Sequence, residues 1–329
     1  MRVLAAVDHF GPGTTATEVA RAVALGVSRA GSRCDELPLA NGGAGLLAAL
    51  GGPNRRSLVM GPLGDAVEVP WRFRGTTAVI ESGLASGLHL VGGAEGNDPI
   101  AAGTHGTGEL IAAAAEGGAK RIIIGAGGNA GTDGGLGAIR AIFPPSRLRG
   151  IRLLVACDVD TLFVDAADGF AAAKGATPAQ TKLLRRRLER LSQVYLDDYG
   201  VNVTDVPGSG AGGGLAGGLA AIGAELLPGA MVIADEVELG WQIEQADLVI
   251  TAEAFLDEHS FHLGVVGCVY DAASKAGVPC VCLTSQTFDG VETLMSIRLV
   301  PPAATTATLM ANLARTVEEY LAARGPKNL

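Results

Sequence analysis

Short apolar runs that end at acidic or glycine-rich turns recur along this chain. The first run, Arg2 to Val7, ends at Asp8, and the turn after it leads into the amphipathic segment Thr14 to Ala30. This order predicts a buried strand, a turn and a helix whose N-cap is Thr14 or Thr15. The same patterns predict further strands at 34–39, 76–80, 151–156, 247–251 and 278–283, and further helices at 109–117, 178–197 and 305–324. The alternation of strands and helices indicates an α/β fold with largely parallel sheets.

The pattern changes between Arg56 and Arg74, where valine, proline and arginine alternate as in antiparallel strands. Patterns of the first type return late in the chain, as in the segment VPCVCL that begins at Val278. We therefore predict two α/β domains with a cleft between them. Residues 1–60 and 228–329 are expected to form a Rossmann/flavodoxin-like domain, and residues 61–227 an inserted second α/β domain.

The densest glycine loop follows three isoleucines at 122–124 and has glycine at positions 125, 127, 128, 131, 134, 135 and 137. Glycines at this density let backbone N–H groups turn inward and form a concave nest that binds anions. The loop contains one acid, Asp133, which is out of place in an anion nest unless a metal ion or a hydroxyl group needs it. The composition is therefore typical of phosphate and metal binding.

A second glycine nest, Pro207 to Gly218, also leads into an apolar helix. Because ligands of open α/β sheets gather at the carboxyl ends of strands, we expect this nest and Gly125 to Gly137 to face one cleft, with Asp133 pointing into it. Asp158 and Asp160 follow another predicted strand and suit either a cation site or an ordinary turn. Each nest contains a match to the dinucleotide fingerprint, but the helix after the first is delayed by glycines and a proline precedes the second, so an NAD site is disfavoured.

Composition narrows the class of protein. The net charge of −9 argues against a nucleic-acid partner. The five cysteines are scattered without a CxxC pair, as expected of reduced thiols in a cytoplasmic protein. No apolar run of about 18 residues indicates a membrane span, and the acid at position 8 argues against a signal peptide. We expect a small-molecule substrate and no membrane partner, and a homodimer is one assembly that the sequence leaves open.

Seven segments stand in the same order as in the type I glycerate kinase family. They are VDHF (family PDSFKGS), PLANGGAG (PLADGGEGT), GTHGTGELI (TSYGTGELI), IIIGAGGNAGTDGG (IIIGIGGSATNDGG), ACDVD with a following KGATP, PGSGAGGGL (PGAGAAGGLG) and ADLVITAEAFLD (ADLVITGEGRLD). The chain therefore resembles a divergent member of that family over nearly its whole length. The family joins two α/β domains with the active site in the cleft.

The resemblance implies a cytoplasmic, ATP-binding transferase that phosphorylates glycerate or a related small hydroxy acid with ATP and Mg²⁺. The catalytic residues it implies are Asp8, Asp133, Glu253 and Asp257, and the metal ligands are Asp133 and Asp158. The implied substrate- and phosphate-binding residues are Asn41, Gly42, Gly43, Gly127, Gly128, Asn129, Thr132, Gly134, Lys174, Gly208 and Gly210.

Several family positions are altered in this chain. Gly11 stands where the family has lysine, Asn41 and Ala44 where it has acids, and Phe255 where it has arginine. No lysine is present at 263–265, where the family has another. Because metal and cationic groups hold the γ-phosphate during phosphoryl transfer, these losses bear on the chemistry. We expect glycerate itself to be a poor acceptor and a bulkier or less charged ligand to be favoured.

Two alternatives stay open beside the kinase. The first is a catalytically silent relative that binds a nucleotide or a small acid. The second is a different reaction on the same scaffold, with acid–base groups supplied by the histidines at 9, 105, 259 and 262. The spacing of His259 and His262 alone falls short of a metal ligand set.

Overall fold

The computed structural model of the protein describes residues 1–288 and 295–324. It divides into two compact units, which we call unit 1 and unit 2. Unit 1 comprises Met1–Asn41 and Ala230–Leu329, and unit 2 is the continuous segment Gly42–Gly229. None of the helices in the described ranges combines the length and the apolarity that crossing a bilayer requires.

The described strands and helices alternate along the chain. The strands are β1 (Arg2–Val7), β2 (Arg33–Pro38), β3 (Arg55–Met60), β4 (Ala66–Arg74), β5 (Thr77–Glu81), β6 (Arg121–Gly125), β7 (Arg152–Cys157), β8 (Glu225–Pro228), β9 (Leu248–Ala252), β10 (Phe255–Leu256), β11 (Cys280–Thr284), β12 (Gln286–Thr287) and β13 (Ser296–Leu299). The helices are α1 (Ala16–Arg29), α2 (Leu46–Ala49), α3 (Ser82–Ser86), α4 (Gly93–Gly96), α5 (His105–Glu116), α6 (Leu136–Ile142), α7 (Ala166–Phe170), α8 (Pro178–Tyr199), α9 (Leu215–Ala221), α10 (Gly229–Glu236), α11 (Leu239–Glu244), α12 (Glu258–His262), α13 (Val265–Ala276) and α14 (Thr306–Arg324). Short 3-10 turns lie at Leu88–Val91, Pro145–Leu148 and Ala172–Lys174.

Unit 1 contains a five-stranded sheet in the order β13-β11-β9-β1-β2, and all its pairs are parallel. Counted in chain order, these strands follow the flavodoxin-like order 2-1-3-4-5, whose topological switch point lies between the first and third strands. The predicted α/β class and the flavodoxin-like unit are therefore confirmed. The switch point places the residues after β1 and those after β9 on neighbouring strand ends.

Helices α1 and α14 pack against each other in unit 1. Buried side chains such as Val23, Leu313 and Val317 fill the apolar cluster beneath them. A Cβ atom at Gly26 would lie 2.3 Å from the carbonyl oxygen of Ala314, so the two backbones approach as closely as a glycine allows. Thr15, one of the two residues predicted as the N-cap, caps helix α1, and it bonds reciprocally with Glu18 in a capping box.

Unit 2 contains a six-stranded sheet in the order β3-β4-β5-β6-β7-β8. The first three strands are antiparallel and β5 to β8 are parallel, which confirms the antiparallel texture expected between Arg56 and Arg74. Because β3 pairs with β4, residues 55–60 belong to this sheet, and unit 2 begins at Gly42. The first boundary between units thus lies after Asn41 rather than near residue 60. That the units are separate domains stays a prediction.

Helix α5 begins at His105, four residues before the predicted start at 109. The prediction treated the glycines of this segment as a loop. In the structure they are helical residues at close contacts, because a Cβ at Gly106 would lie 2.1 Å from the carbonyl oxygen of Met60 and one at Gly108 would lie 2.3 Å from that of Ala138. Their role is to admit neighbouring backbone.

Replacing Gly26 with alanine is expected to destabilise unit 1. The added Cβ meets the backbone of α14, and overpacking of this kind costs roughly 1–3 kcal/mol. Thermal and urea unfolding of Gly26→Ala would measure the loss. The matched control is Gly240→Ala in α11, where nothing lies within 4 Å of the added Cβ, so stability should stay equal or rise. Equal stability of Gly26→Ala and the wild type would contradict the close contact.

Candidate active site

Two glycine loops of unit 2 line one cavity of about 310 Å³. The first loop follows β6 and the second precedes α9. The lining residues are Leu88, Gly127, Gly128, Asn129, Asp158, Val159, Phe170, Ala173, Lys174, Gly212 and Gly213. The prediction that the two nests face a common space is therefore confirmed within unit 2. We call this space the nest cavity.

Charged groups of the nest cavity lie directly against glycine backbone. A Cβ at Gly127 would lie 2.7 Å from Oδ2 of Asp158, and one at Gly213 would lie 2.9 Å from Nζ of Lys174. A side chain at either glycine would displace a charged group. The two nests thus serve as walls that let an acid and a base reach the cavity.

Lys174 is a buried cation in this wall, with 8% of its surface exposed. Its Nζ donates to the carbonyl oxygen of Gly131 at 2.6 Å and to Oγ1 of Thr132 at 3.4 Å. Burial lowers the pKa of Lys174 to about 8, and the nearby Asp133 and Asp158 oppose that shift. An ammonium group has three donors, so one stays available to a ligand of the nest cavity.

Asp158 is the acid of the nest cavity. It follows β7, and burial raises its pKa, while its own backbone N–H and Lys174 oppose the shift. Protein-bound Mg²⁺ commonly has one or two carboxylate ligands and completes its shell with water and substrate phosphate oxygens. Asp158 fits that role. Asp160, two residues later, is exposed and outside the cavity lining.

Asn129 joins the two glycine loops. Its Nδ2 donates to the carbonyl oxygens of Gly212 at 3.1 Å and Ala126 at 3.4 Å. Its Oδ1 is buried without a hydrogen-bond partner. An unpartnered buried acceptor costs free energy, so a ligand that donates a hydrogen bond to this oxygen would be stabilised here.

Asp133 makes its hydrogen bonds within unit 2. Its carboxylate accepts hydrogen bonds from the backbone N–H and Oγ1 of Thr104 and from the backbone N–H groups of Gly135 and Gly137. Four donors match the lone-pair sites of a carboxylate. Asp133 lines a second cavity, beside Leu136 and Leu188, rather than the nest cavity. Asp133 thus caps the start of α6 and is not among the residues that line the nest cavity, and its expected role at a metal or a substrate stays a prediction.

The other predicted glycines fall into two groups. Gly128 lines the nest cavity. Gly42 and Gly43 support the cavity from behind by close backbone contacts: a Cβ added at Gly42 would lie 2.6 Å from the carbonyl oxygen of Ala156, and one added at Gly127 would lie 2.8 Å from Cα of Gly43. Cβ atoms added at Gly134, Gly208 and Gly210 would instead contact Leu191, Cys157 and the carbonyl oxygen of Leu162, respectively. Predicting these three as ligand-binding is therefore not supported, and Gly212 and Gly213 take that position. Thr132 is buried against Lys174, and Asn41 ends the first stretch of unit 1.

Unit 1 has its own cluster of titratable groups at the switch point of its sheet. Asp8 follows β1, and its Oδ1 accepts from the backbone N–H of His9 at 2.6 Å and contacts Nδ1 of that ring at 2.9 Å. This ring contact raises the pKa of His9, and burial opposes it. Asp8 is thus held in a fixed orientation by its own neighbour.

Glu253 follows β9 on the adjacent strand end. Burial raises the pKa of its carboxyl group to about 7, with a further rise from Asp8 and an opposing contribution from Ser260. Its Oε2 is buried and has no hydrogen-bond partner. A carboxylate with this pKa and an open oxygen is suited to accept a proton near neutral pH.

Asp257 has a local structural role in the same unit. Its Oδ1 accepts from the backbone N–H of Ser260 at 3.0 Å and contacts the hydroxyl of that residue at 3.2 Å. These contacts cap the short helix α12. The side chain of His259, named in the alternative metal reading, lies outside the described part of the structure. Across residues 1–288 and 295–324, no three His, Cys, Asp or Glu side chains gather as a metal site.

Comparison with known proteins shows the family of this chain. The sequence profile described as "Glycerate kinase family" matches residues 3–143 and 144–325. The chain belongs to the glycerate kinase family. It is 34% identical over 331 residues to the glycerate 2-kinase of Escherichia coli K12, covering 88% of this chain and 87% of that protein. It is also 34% identical over 321 residues to the glycerate kinase of Bacillus subtilis 168, with 85% and 84% covered.

A solved structure of the family agrees with the fold. The crystal structure of the protein described as "putative glycerate kinase 2" from Salmonella typhimurium LT2 superposes with a TM-score of 0.84 and 29% sequence identity, and the match covers 98% of each chain. The family fold is therefore present over the whole length. The sequence motif of the second glycine loop did not predict that Gly212 and Gly213 face the cavity. Their positive φ angles, 65° and 72°, arise from a turn that a run of glycines permits in several forms.

Removing the Asp133 carboxylate should reduce stability independently of metal. Asp133→Ala leaves the backbone N–H groups of Gly135 and Gly137 and the Thr104 donors without their acceptor, which should lower the free energy of unfolding by roughly 2–4 kcal/mol. Chemical denaturation with Mg²⁺ and with EDTA should show the same loss. Asp160→Ala is the control at an exposed acid. A loss seen only with Mg²⁺ would restore Asp133 as a metal ligand.

Proposed function

We propose that this protein transfers the γ-phosphoryl group of ATP to a hydroxyl group of glycerate or of a related small hydroxy acid. The observation that carries the proposal is the nest cavity, where two glycine loops surround one buried cation and one acid. Membership of the glycerate kinase family supports the reaction class, and relatives named as glycerate kinases do not favour a silent binding protein. ATP, Mg²⁺ and the acceptor are the ligands of this proposal.

Phosphate groups suit the nest cavity because glycine backbone from two loops forms part of its wall. Backbone N–H groups in a glycine nest bind anions without a side chain. Lys174 adds a positive charge. Burial strengthens the attraction between this charge and a phosphate group, because a charge in a low-dielectric site is weakly screened. We assign to Lys174 the neutralisation of charge on the phosphate oxygens, and to Gly127, Gly128, Gly212 and Gly213 the backbone contacts.

Asp158 is the residue of unit 2 that would hold Mg²⁺ together with phosphate oxygens. When bound, the ion neutralises charge on the phosphates and fixes their orientation. Burial raises the pKa of Asp158, and its own backbone N–H and the charge of Lys174 oppose that rise. Asn129 offers its free Oδ1 as a hydrogen-bond acceptor on the same wall.

Glu253 is the residue of unit 1 that we assign to the acceptor hydroxyl. A base with a pKa near 7 takes a proton at neutral pH and returns it readily. Asp8, held by His9, adds negative charge beside it and so supports the raised pKa of Glu253. The bonds between Asp257 and Ser260 keep the loop after Glu253 in place.

A cytoplasmic location fits the same function. All five cysteines are free thiols, as is usual where glutathione and thioredoxin keep thiols reduced. ATP and small hydroxy acids belong to such a compartment. Formation of a homodimer, which the sequence leaves open, can be tested by measuring the mass of the protein in solution.

The proposed role of Lys174 predicts a large loss on removing its charge. ATP consumption with Mg²⁺ and a panel of small hydroxy acids measures the reaction. Lys174→Met keeps the aliphatic stem, and kcat/KM should fall at least about 100-fold, as when one electrostatic stabiliser of the transferred group is removed. Lys182→Met, at an exposed lysine of α8, is the control. No ATP consumption by the wild type with any acceptor would refute the proposed function.

The two shifted groups predict a bell-shaped pH profile for kcat/KM. Glu253 acts as a base only when deprotonated, so the rate rises through its pKa of about 7. Lys174 acts as a cation only when protonated, so the rate falls through its pKa of about 8. Glu253→Gln should remove the acidic limb, and Lys174→Arg should move the alkaline limb upward. A profile flat from pH 6 to 9 speaks against both assignments.

A further inference from the structure

Two phenylalanines form an exposed pair in unit 1. Phe255 lies in β10 and Phe288 follows β12, and these two short strands pair in parallel. The rings make an edge-to-face contact with centroids 5.1 Å apart and planes at 85°. Phe255 is 42% and Phe288 58% exposed. A chain with only 4% aromatic residues thus presents two of them together to solvent. We call this feature the phenylalanine pair.

The phenylalanine pair lies at the same edge of the sheet as Glu253. Phe255 is two residues beyond Glu253, and the backbone between them is fixed because the carbonyl oxygen of Ala254 accepts from Ser285 N at 3.1 Å. The Cβ of Ala254 lies 3.4 Å from where a Cβ of Gly11 would be. The loop after β1, which begins at Asp8, therefore packs beside the strand that carries Phe255.

In the described part of unit 1, the segments that follow the sheet strands carry acidic side chains and no lysine or arginine. The segments that follow the five strands of the unit 1 sheet are 8–15, 39–41, 253–264, 285–288 and 300–305, and none contains lysine or arginine. They contain Asp8, Glu253, Asp257 and Glu258. The ring of His9 is already engaged by Asp8. A carboxylate or phosphate placed on the phenylalanine pair itself would lose water without gaining a cation from these segments, which is unfavourable.

We propose that the phenylalanine pair binds an uncharged apolar substituent of the acceptor, so that the substrate is a hydroxy acid larger than glycerate that bears an aliphatic or aromatic group. This inference rests on the proposed function and names its substrate class. The phenylalanine pair determines the specificity, and Glu253 accepts the proton of the acceptor hydroxyl group. The occupant is the acceptor because the pair is continuous, through Ala254, with the residue assigned as the base.

Burial of a substituent on the two rings supplies the selectivity. Each buried methylene is worth about 0.8 kcal/mol, so a branched or aromatic group gains a large preference over the hydrogen atoms of glycerate. An edge-to-face pair leaves one ring face and one ring edge for such a group. Arginine at position 255, as in the family motif, would replace this apolar surface with a charged fork suited to a carboxylate.

The test is a matched series of 2,3-dihydroxy acids that carry hydrogen, methyl, isopropyl or phenyl at carbon 3, with one member that carries an aminomethyl group. For the wild type, kcat/KM should be at least tenfold higher for the isopropyl or phenyl member than for glycerate. Phe288→Ala should reduce that ratio at least fivefold. Phe255→Arg should shift preference toward glycerate. Trp241→Ala, which removes an aromatic residue of equal exposure, 58%, should leave the ratio unchanged.

Glycerate or the aminomethyl member as the best substrate would overturn the inference while leaving phosphoryl transfer intact. So would a sedimentation experiment in which Phe288→Ala converts a dimer to a monomer with no change in preference. Calorimetric binding of the series without ATP separates the two proposals. If no acceptor is phosphorylated, the proposed function fails, and tighter binding of the phenyl member that Phe288→Ala weakens at least tenfold still supports the inference. Equal binding to both proteins refutes it.

Discussion

Contact between glycine backbones at the carboxyl ends of the parallel strands is the constraint on which unit 2 depends. A Cβ at Gly125 would lie 2.6 Å from the carbonyl oxygen of Gly42, and one at Gly213 would lie 2.2 Å from that of Gly131. Side chains do not tolerate such distances, so these loops share one edge only as glycine. Glycine backbone from both loops lines the space they enclose, together with apolar side chains such as Leu88 and Phe170. The few polar side chains that reach this space, Asn129, Asp158 and Lys174, therefore have large effects on its chemistry.

Burial shifts the pKa values of Lys174 and Glu253, the two ionisable groups with the clearest chemical roles, in opposite directions. It disfavours the ammonium form of Lys174 and the carboxylate form of Glu253, because each charged form loses water. The same physical cause moves the pKa values of a strong base and of a weak acid toward neutral pH. Each then exchanges its proton under conditions where an ordinary lysine or glutamate would not. The two units differ in what surrounds these groups, since peptide dipoles surround Lys174 and other acids surround Glu253.

Much of this organisation was predictable from local sequence. Apolar runs predicted the strands that precede Asp8 and Glu253, and the two glycine clusters predicted one cavity. What the sequence did not show depended on distant partners. The donors that occupy Asp133 include Thr104, 29 residues earlier, and no spacing within the glycine loop indicates them. Which glycines face the cavity likewise depends on turn geometry. The predicted start of α5 was too late because glycine usually marks a loop, whereas here the nearby carbonyl oxygen of Met60 requires glycine inside the helix.

The division of unit 1 into two stretches of chain has a consequence for biosynthesis. The backbone N–H of Arg2 donates to Asp247, 245 residues later, and β1 pairs with β9. At ribosomal rates of roughly 5–20 residues per second, β1 and β2 wait on the order of ten to fifty seconds for the strand that pairs with β1. The continuous segment of unit 2 emerges in the meantime. A nascent chain therefore carries an unpaired parallel strand edge for most of its synthesis.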